Sequence, residues 1–247
     1  MVVILIMGLL ITVFVVPREH RLYYDEDIYQ NIGQNIAYLK SRDINSQEGY
    51  WKTIKNSWKR FIGHAAMCNE GKIEYGEYQC FRLEYNKQPN SWPYLISVVF
   101  RLVGVNEQAS FITNNFIYGL SVLTVFFIGY LLFKDAFTGI YAALIFSLIP
   151  ELMMWSNTTA VEPGAALFAG LTLLGFLIYL QSRELKSLYL AAVTAAFAAQ
   201  FRMDSIMILG VAGLAMLLWD RERLKKGDFY LLLSIFFILI IPHLVHI

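Results

Sequence analysis

Residues 111–133 read FITNNFIYGLSVLTVFFIGYLLF, a run that is long enough and apolar enough to cross a lipid bilayer as one helix. Other apolar runs follow it and predict a bundle of membrane helices. These runs comprise residues 137–155, 164–180, 188–201, 205–219 and 229–247. Residues 1–16 form a further run, which lacks the basic start and the small-residue cleavage site of a signal peptide and therefore predicts a first span.

The composition excludes several classes of protein. Hydrophobic residues make up 57% of the chain and charged residues only 16%, against about a quarter in a soluble domain. The net charge of +1 gives no reason to expect nucleic acid. Two cysteines cannot build a disulfide scaffold, and no Cys/His spacing resembles a zinc site. Cys68 and Cys80 share one polar segment, where they can pair only if that segment is extracytoplasmic.

We therefore predict an all-α integral membrane protein with about seven transmembrane helices in three parts. Residues 1–17 form the first span, residues 18–108 a large extracytoplasmic loop with interfacial helices, and residues 109–247 a bundle of six further spans. In the loop, Trp51, Ile54, Trp58, Phe61 and Ile62 recur at helical spacing between basic residues, which favours a helix in the headgroup region. An amphipathic helix packed on a small domain is the alternative. A second surface helix is expected near residues 93–104, with Pro93 in its first turn.

The basic residues predict the topology. Counting crossings places seven of them in the loops of one side: Lys134, Arg183, Lys186, Arg221, Arg223, Lys225 and Lys226. Among the short loops of the other side only Arg202 is basic. The positive-inside rule then makes the N-terminus cytoplasmic, although Arg18 and Arg21 after the first span disagree locally.

Acidic side chains and one arginine collect on the predicted extracytoplasmic side. They are Asp25, Glu26 and Asp27 after the first span, Glu151 and Glu162 around the third, and Arg202 with Asp204 between two short spans. Those two helices reach only about 21–23 Å of the roughly 30 Å needed. We therefore expect Arg202 and Asp204 to be recessed in a protein-lined cavity. A structural ion pair at a tight turn is the alternative for this pair, and an N-cap cluster is the alternative for the first three acids.

This grouping of charges suits one chemistry. An arginine holds the phosphate of a lipid-linked donor, and a nearby carboxylate takes a proton from an acceptor hydroxyl. A proton or ion path would instead place charges along the depth of the bundle.

The order of the motifs resembles a known family. They are the acidic pair Asp25-Glu26, the proline-containing segment from Gln88 to Leu95, the segment from Trp155 to Pro163, and the segment from Ala199 to Asp204. This order is similar to that of the GT-C glycosyltransferases, in the branch of dolichyl-phosphate-mannose protein mannosyltransferase-like and aminoarabinose transferase-like enzymes (glycosyltransferase family 39).

The resemblance implies a role for each matching residue. Asp25 would be the base toward the acceptor hydroxyl, and Glu26 would support or orient it. Glu162 would be a second acid facing the same cavity, and Arg202 would lie near the donor phosphate, with Asp204 and Gln88 as further substrate-binding residues. The implied enzyme inverts the anomeric linkage and uses no metal or other cofactor. Its partners would be membrane lipid, a polyprenyl-phosphate sugar and a protein, lipid or glycan acceptor.

Departures from the family leave alternatives open. Residues 87–90 lack the histidine and double proline that the family often has. Asp27 makes a run of three acids, which leaves a one-residue ambiguity in assigning the base. The family continues with more spans, so we expect an N-terminal fragment. A metal-dependent, oligosaccharyltransferase-like enzyme would use Asp25, Asp27 and Glu162 as oxygen ligands. A polytopic transporter is a third reading, disfavoured because no inverted repeat is visible.

Overall fold

The structure, a computed structural model, describes residues 2–18 and 91–244, together with residues 26, 29–30, 32–33 and 37 between them. Several sequence predictions fall outside these residues. They concern the interfacial helix near residues 51–62, the cysteine pair, and the site residues Asp25, Asp27 and Gln88.

Nine α-helices account for the regular structure of residues 2–18 and 91–244, apart from two short 3₁₀ turns. The helices are α1 (Val2–Phe14), α2 (Ser91–Val103), α3 (Glu107–Phe133), α4 (Ala136–Ser147), α5 (Pro150–Ser156), α6 (Glu162–Ser182), α7 (Leu185–Phe201), α8 (Met207–Trp219) and α9 (Gly227–Leu244). The 3₁₀ turns are Met203–Ile206 and Arg223–Lys225.

The number of helices that can cross a membrane is smaller than the sequence predicts. Only α3 and α6 are long and apolar enough by themselves within the described residues. The run at residues 137–155, predicted as a nearly full-length span, is instead a pair of helices, α4 and α5, bent by 66° at the break before Pro150. Helices α2, α7 and α8 are apolar but shorter. The all-helical membrane architecture is therefore confirmed, while the count of seven spans remains a prediction.

Local sequence signals fix several helix boundaries. The Asn106 side chain accepts a hydrogen bond from the Gln108 N–H at the start of α3. Asp135 caps α4 in the same way through the N–H of Thr138. Pro150 occupies the first position of α5, where its missing N–H costs nothing. The predicted helix near Pro93 is confirmed as α2.

The helices pack side by side around α3 and α6. Helix α3 contacts α4 on one side and α6 on the other, and α7 lies between α6 and α9. Asn114 of α3 bonds to Ala160 just before α6, while Lys134 after α3 bonds to Gln181 near the end of α6, so α3 and α6 are parallel. We call the two ends of the bundle the Glu162 end and the Arg183 end.

Small residues let the helices approach closely, as is common in membrane bundles. The closest approach is at Gly164 of α6, where an added Cβ would lie 2.2 Å from a ring carbon of Phe201 on α7. Gly170 of α6 faces Thr124 of α3 in the same way. Gly164 thus holds the first turn of α6 against the last turn of α7.

Replacing Gly164 by alanine should lower the thermal stability of the protein in detergent. The added methyl group overlaps the ring of Phe201, which is buried and stacked on Phe168, so the rings must shift. Overpacking of this kind costs about 1–3 kcal/mol. The control is Gly210→Ala in α8, where no atom lies within 4 Å of the new methyl group. Equal unfolding midpoints for the two variants would contradict this packing.

Candidate active site

The segment between α5 and α6, residues 157–161, is non-helical backbone enclosed by other parts of the protein. Asn157, Thr158 and Thr159 are all 0% exposed, and Ala160 and Val161 are buried as well. Buried backbone N–H and C=O groups need hydrogen-bond partners, because an unpaired group away from water is costly. The surrounding helices must therefore supply those partners.

Two neighbouring amides of α3 supply several of them. Asn114 donates through Nδ2 to the carbonyl oxygens of Thr158 and Ala160, at 2.8 and 3.0 Å. Asn115 donates through Nδ2 to the Ser156 carbonyl at 3.1 Å and to Oδ1 of Asn157 at 2.9 Å. Since both asparagines are buried, α3 fixes the path of residues 156–160.

The same segment holds the end of α1. Asn157 donates through Nδ2 to the carbonyl oxygens of Thr12 and Val16, the latter at 2.8 Å. These carbonyls lie at the C-terminal end of α1, where helix geometry leaves them without intrahelical partners. The first helix of the chain is thereby joined to the Glu162 end of the bundle.

Glu26 is docked on this segment as well. Its side chain is 0% exposed, and its Oε2 accepts hydrogen bonds from the N–H of Thr159 at 3.0 Å and from the Thr159 hydroxyl at 3.1 Å. Only three peptide units separate Thr159 from Glu162, so their Cα atoms lie within about 11 Å of each other. Glu26 is therefore held close to the first turn of α6.

A charged cluster occupies that first turn. Arg202 donates through Nη1 to Oε1 of Glu162 at 2.8 Å and through Nη2 to Oδ2 of Asp204 at 3.0 Å. The side chains of Glu162, Arg202 and Asp204 are 24%, 42% and 64% exposed. The hydrogen bond from Arg202 is the main cause that holds the pKa of Asp204 below its usual range. The cluster thus joins two carboxylates through one guanidinium.

Arg202 reaches Glu162 because the end of α7 is anchored on three sides. Gln200 donates to the Leu239 carbonyl of α9 at 2.6 Å and accepts from the Ser91 hydroxyl of α2 at 3.1 Å. Phe201 packs under Gly164 of α6. The chain then turns to extended backbone at Arg202, whose φ is −147°, and the guanidinium projects toward α6.

Arg202 and Glu162 can each form further hydrogen bonds to a ligand. A guanidinium carries five N–H donors, of which three are engaged, by Glu162 and Asp204. Oε2 of Glu162 is buried and has no hydrogen-bond partner among the described residues. The site can accept an anionic group at Arg202 and a hydroxyl at Glu162.

The structure brings four of the predicted site residues to one end of the bundle: Glu26, Glu162, Arg202 and Asp204. The Asp204 side chain, in the 3₁₀ turn after α7, is 64% exposed, and its predicted recess below the membrane surface stays a prediction. Glu151 is exposed in the first turn of α5 and makes no ion pair with the described residues. Asp25 and Gln88 lie outside the described residues.

Sequence reasoning missed the residues that hold the site together, namely Asn114, Asn115, Asn157, Thr159 and Gln200. A signal was present, because two consecutive amides interrupt the apolar run of α3. Buried polar side chains in a membrane helix need partners, so this pair indicated a polar segment packed against α3.

The described residues contain no group of three or more His, Cys, Asp and Glu side chains placed to hold a metal ion. Asp25 and Asp27, which the metal-dependent alternative needs, are not among them.

Comparison with known proteins gave one match. The family model for dolichyl-phosphate-mannose-protein mannosyltransferase matches residues 87–246, about two thirds of the chain. No curated protein and no solved structure gave a match. The matched region contains Glu162, Arg202 and Asp204, whereas Asp25 and Glu26 precede it.

Replacing Glu26 by alanine should destabilise the protein, since the N–H and the hydroxyl of Thr159 would lose their buried acceptor. Leaving a buried donor unpaired costs about 1–3 kcal/mol. Thermal unfolding in detergent measures the effect, with Glu151→Ala, the loss of an exposed carboxylate, as the control. If both variants unfold at the wild-type temperature, Glu26 is not docked on Thr159.

Proposed function

The chain belongs to the dolichyl-phosphate-mannose-protein mannosyltransferase family, and from this premise we propose that it moves a sugar from a polyprenyl-phosphate donor to a hydroxyl acceptor. Family membership makes it a membrane glycosyltransferase of the GT-C type. The proposal adds the donor and acceptor chemistry, inversion at the anomeric carbon, and an extracytoplasmic site at the Glu162 end.

The observation that carries the proposal is the salt-bridged cluster of Arg202, Glu162 and Asp204 beside the docked Glu26. A polyprenyl-phosphate sugar has its phosphate at the membrane boundary and its tail in lipid. It therefore needs a cation at the end of a membrane helix bundle, next to groups that bind hydroxyls. Guanidinium matches phosphate oxygens well because its N–H donors form a planar fork.

We propose that the ion pair between Arg202 and Asp204 breaks when the donor binds. The Arg202–Asp204 pair is largely exposed, and such pairs are worth only about 0–1 kcal/mol. A phosphate can displace it at little cost and also use the two remaining N–H donors. Glu162 is less exposed and keeps its hydrogen bond from Nη1, so the guanidinium stays oriented.

The proposed reaction is a single displacement. The acceptor hydroxyl gives its proton to the Asp25 carboxylate, and its oxygen forms a bond to the anomeric carbon. The bond between that carbon and the phosphate oxygen breaks, and its electron pair leaves with polyprenyl phosphate. Arg202 offsets the charge that develops on the phosphate. Attack opposite the leaving group inverts the configuration of the sugar.

The two glutamates have different proposed roles. Glu26 accepts two hydrogen bonds from Thr159 and is buried, so it acts as a positioning residue for its covalent neighbour Asp25. Glu162 offers its Oε2, which has no hydrogen-bond partner among the described residues, to a hydroxyl of the sugar or of the acceptor.

The pairing of Glu162 with Arg202 argues against the metal-dependent alternative. A divalent cation bound to Glu162 would lie next to a guanidinium whose Nη1 is 2.8 Å from Oε1 of that carboxylate. Charges along the bundle, expected for a transporter, are also missing from the main described helices. The charged residues of α3, α6 and α7 are Glu107, Glu162 and Lys186, and each lies in the first turn of its helix.

Kinetic measurements in reconstituted membranes with a polyprenyl-phosphate sugar test the proposal. Arg202→Ala should lower kcat/KM for the donor roughly 10- to 100-fold, since charge-assisted hydrogen bonds contribute about 1.5–3 kcal/mol. Asp204→Ala should leave the donor KM unchanged or lower it, because it frees the guanidinium. The control is Arg101→Ala, which removes an exposed arginine from the last turn of α2. Unchanged donor kinetics in Arg202→Ala would remove its phosphate role.

The base and the metal are tested separately. Asp25→Asn should reduce turnover by at least about 100-fold while the protein remains folded, because the amide cannot take the proton. Treatment with EDTA should leave activity unchanged. Loss of activity in EDTA that Mn²⁺ or Mg²⁺ restores would establish the metal-dependent alternative instead.

A further inference from the structure

An apolar groove runs along the outside of the bundle toward the end opposite the candidate active site. Its volume is about 510 Å³, and its walls come from α3, α6 and α8, including Leu132, Leu177 and Ala215. Gln181 and Arg183 line it near the point where α6 ends. From Glu162 to Arg183 the helix rises about 31 Å, close to the thickness of the hydrocarbon core of a bilayer. The polar end of the groove therefore lies at the opposite membrane boundary from Arg202.

The apolar walls of the groove do not by themselves determine which molecule binds there. Lipid tails are as apolar as leucine side chains, so filling the groove from a bilayer gains little from the hydrophobic effect. Selectivity must come from the polar end, where a lipid would place its headgroup.

Among the cations at this end, Lys134 and Arg183 both adopt an unusual backbone conformation. Helix α3 ends at Lys134 with φ 55°, and α6 ends at Arg183 with φ 59°. Glycine or asparagine is usual in this left-handed region, which costs other residues about 1–2 kcal/mol. The helix dipole accounts for a cation in the last turn but not for its placement at the strained position. Two adjacent helices thus end in the same strained backbone conformation, and each places a cation beside the groove.

The side-chain contacts orient these cations across the polar end. Lys134 donates to Oε1 of Gln181, which in turn donates to the Leu131 carbonyl of α3 at 2.7 Å. Arg183 pairs with Asp220 at 2.8 Å, yet 48% of its side chain remains exposed. Gln181 thereby links the two helices that carry the cations.

Several carboxylates at this end already have partners. Asp135 accepts hydrogen bonds from the N–H and the hydroxyl of Thr138 at the start of α4. Asp220, whose side chain is only 17% exposed, pairs with Arg183 and also accepts from the hydroxyl of the buried Tyr179. Arg223 pairs with Asp228. Lys134 and Arg183 are exposed beside the groove, together with Glu184, the residue after Arg183.

We propose that this groove binds one anionic glycerophospholipid from the leaflet at the Arg183 end, with its phosphate between Lys134 and Arg183 and an acyl chain against α6 and α8. The site is separate from the proposed sugar-transfer site, and its occupant is a resident lipid that does not react. An anionic headgroup would accept hydrogen bonds from the remaining donors of both side chains. The free energy of this binding would offset the cost of the two strained helix ends.

Native mass spectrometry of the purified protein tests the proposal, with phosphatidylglycerol and phosphatidylcholine added in equal amounts. Wild-type protein should retain one phosphatidylglycerol at least about tenfold in preference to phosphatidylcholine. Lys134→Gln with Arg183→Gln should abolish that preference. The charge-matched control is Lys225→Gln with Lys226→Gln, two exposed cations at the same end. Neither lines the groove, and Lys225 pairs with Glu222, whereas Lys134 bonds to Gln181 in the groove wall. It should leave the preference unchanged.

A second variant covers the case in which the double glutamine variant fails to fold. Ala215→Phe keeps both cations but fills the groove, and it should reduce bound phosphatidylglycerol at least about tenfold. Equal retention of the two lipids by the wild type would overturn the proposal. So would displacement of the phospholipid by added polyprenyl phosphate, which would assign the groove to the donor tail. A dimer whose formation excludes the lipid would assign the groove to a second copy of the chain.

Discussion

The structure depends on a stretch of non-helical backbone that must satisfy its polar groups inside a membrane protein. Residues 157–161 are enclosed, and water is not available to them. Asn114 and Asn115 supply donors from α3, and Glu26 supplies an acceptor from the segment after α1. Because the partners come from distant parts of the sequence, satisfying this backbone also assembles the Glu162 end of the bundle.

The charged cluster is a consequence of this arrangement. The enclosed segment ends just before Glu162, and Gly164 in the same first turn of α6 allows Phe201 to pack directly against that helix. Arg202 follows Phe201 and therefore meets Glu162. Packing between small and aromatic residues thus determines where the ionisable groups lie, and their remaining hydrogen-bonding capacity determines what they can bind. The same helix, α6, ends about 31 Å away at the strained Arg183.

The sequence predicts the helical membrane architecture because apolar runs and positive charges leave local signals. It also predicts that Glu26, Glu162, Arg202 and Asp204 share one end, since counting crossings places them on one side. It does not predict the enclosure of residues 157–161, because the partners of an asparagine such as Asn114 are more than forty residues away. The 66° bend before Pro150 lies in a run that the sequence predicts as one span, because the angle depends on how α5 packs against α3. The exposure of Asp204 is not predicted either, since the 3₁₀ turn that carries it has no clear local signal.

The central claim is that the enclosed segment holds Glu26 beside a guanidinium that binds the donor phosphate. An experimental structure with polyprenyl phosphate bound in a lipid nanodisc tests it most directly. The account predicts a phosphate oxygen within about 3 Å of the Arg202 guanidinium, with Asp204 turned away and the Glu26 carboxylate still on Thr159. A phosphate bound elsewhere while Arg202 keeps both carboxylates, or a Glu26 side chain away from Thr159, would contradict it.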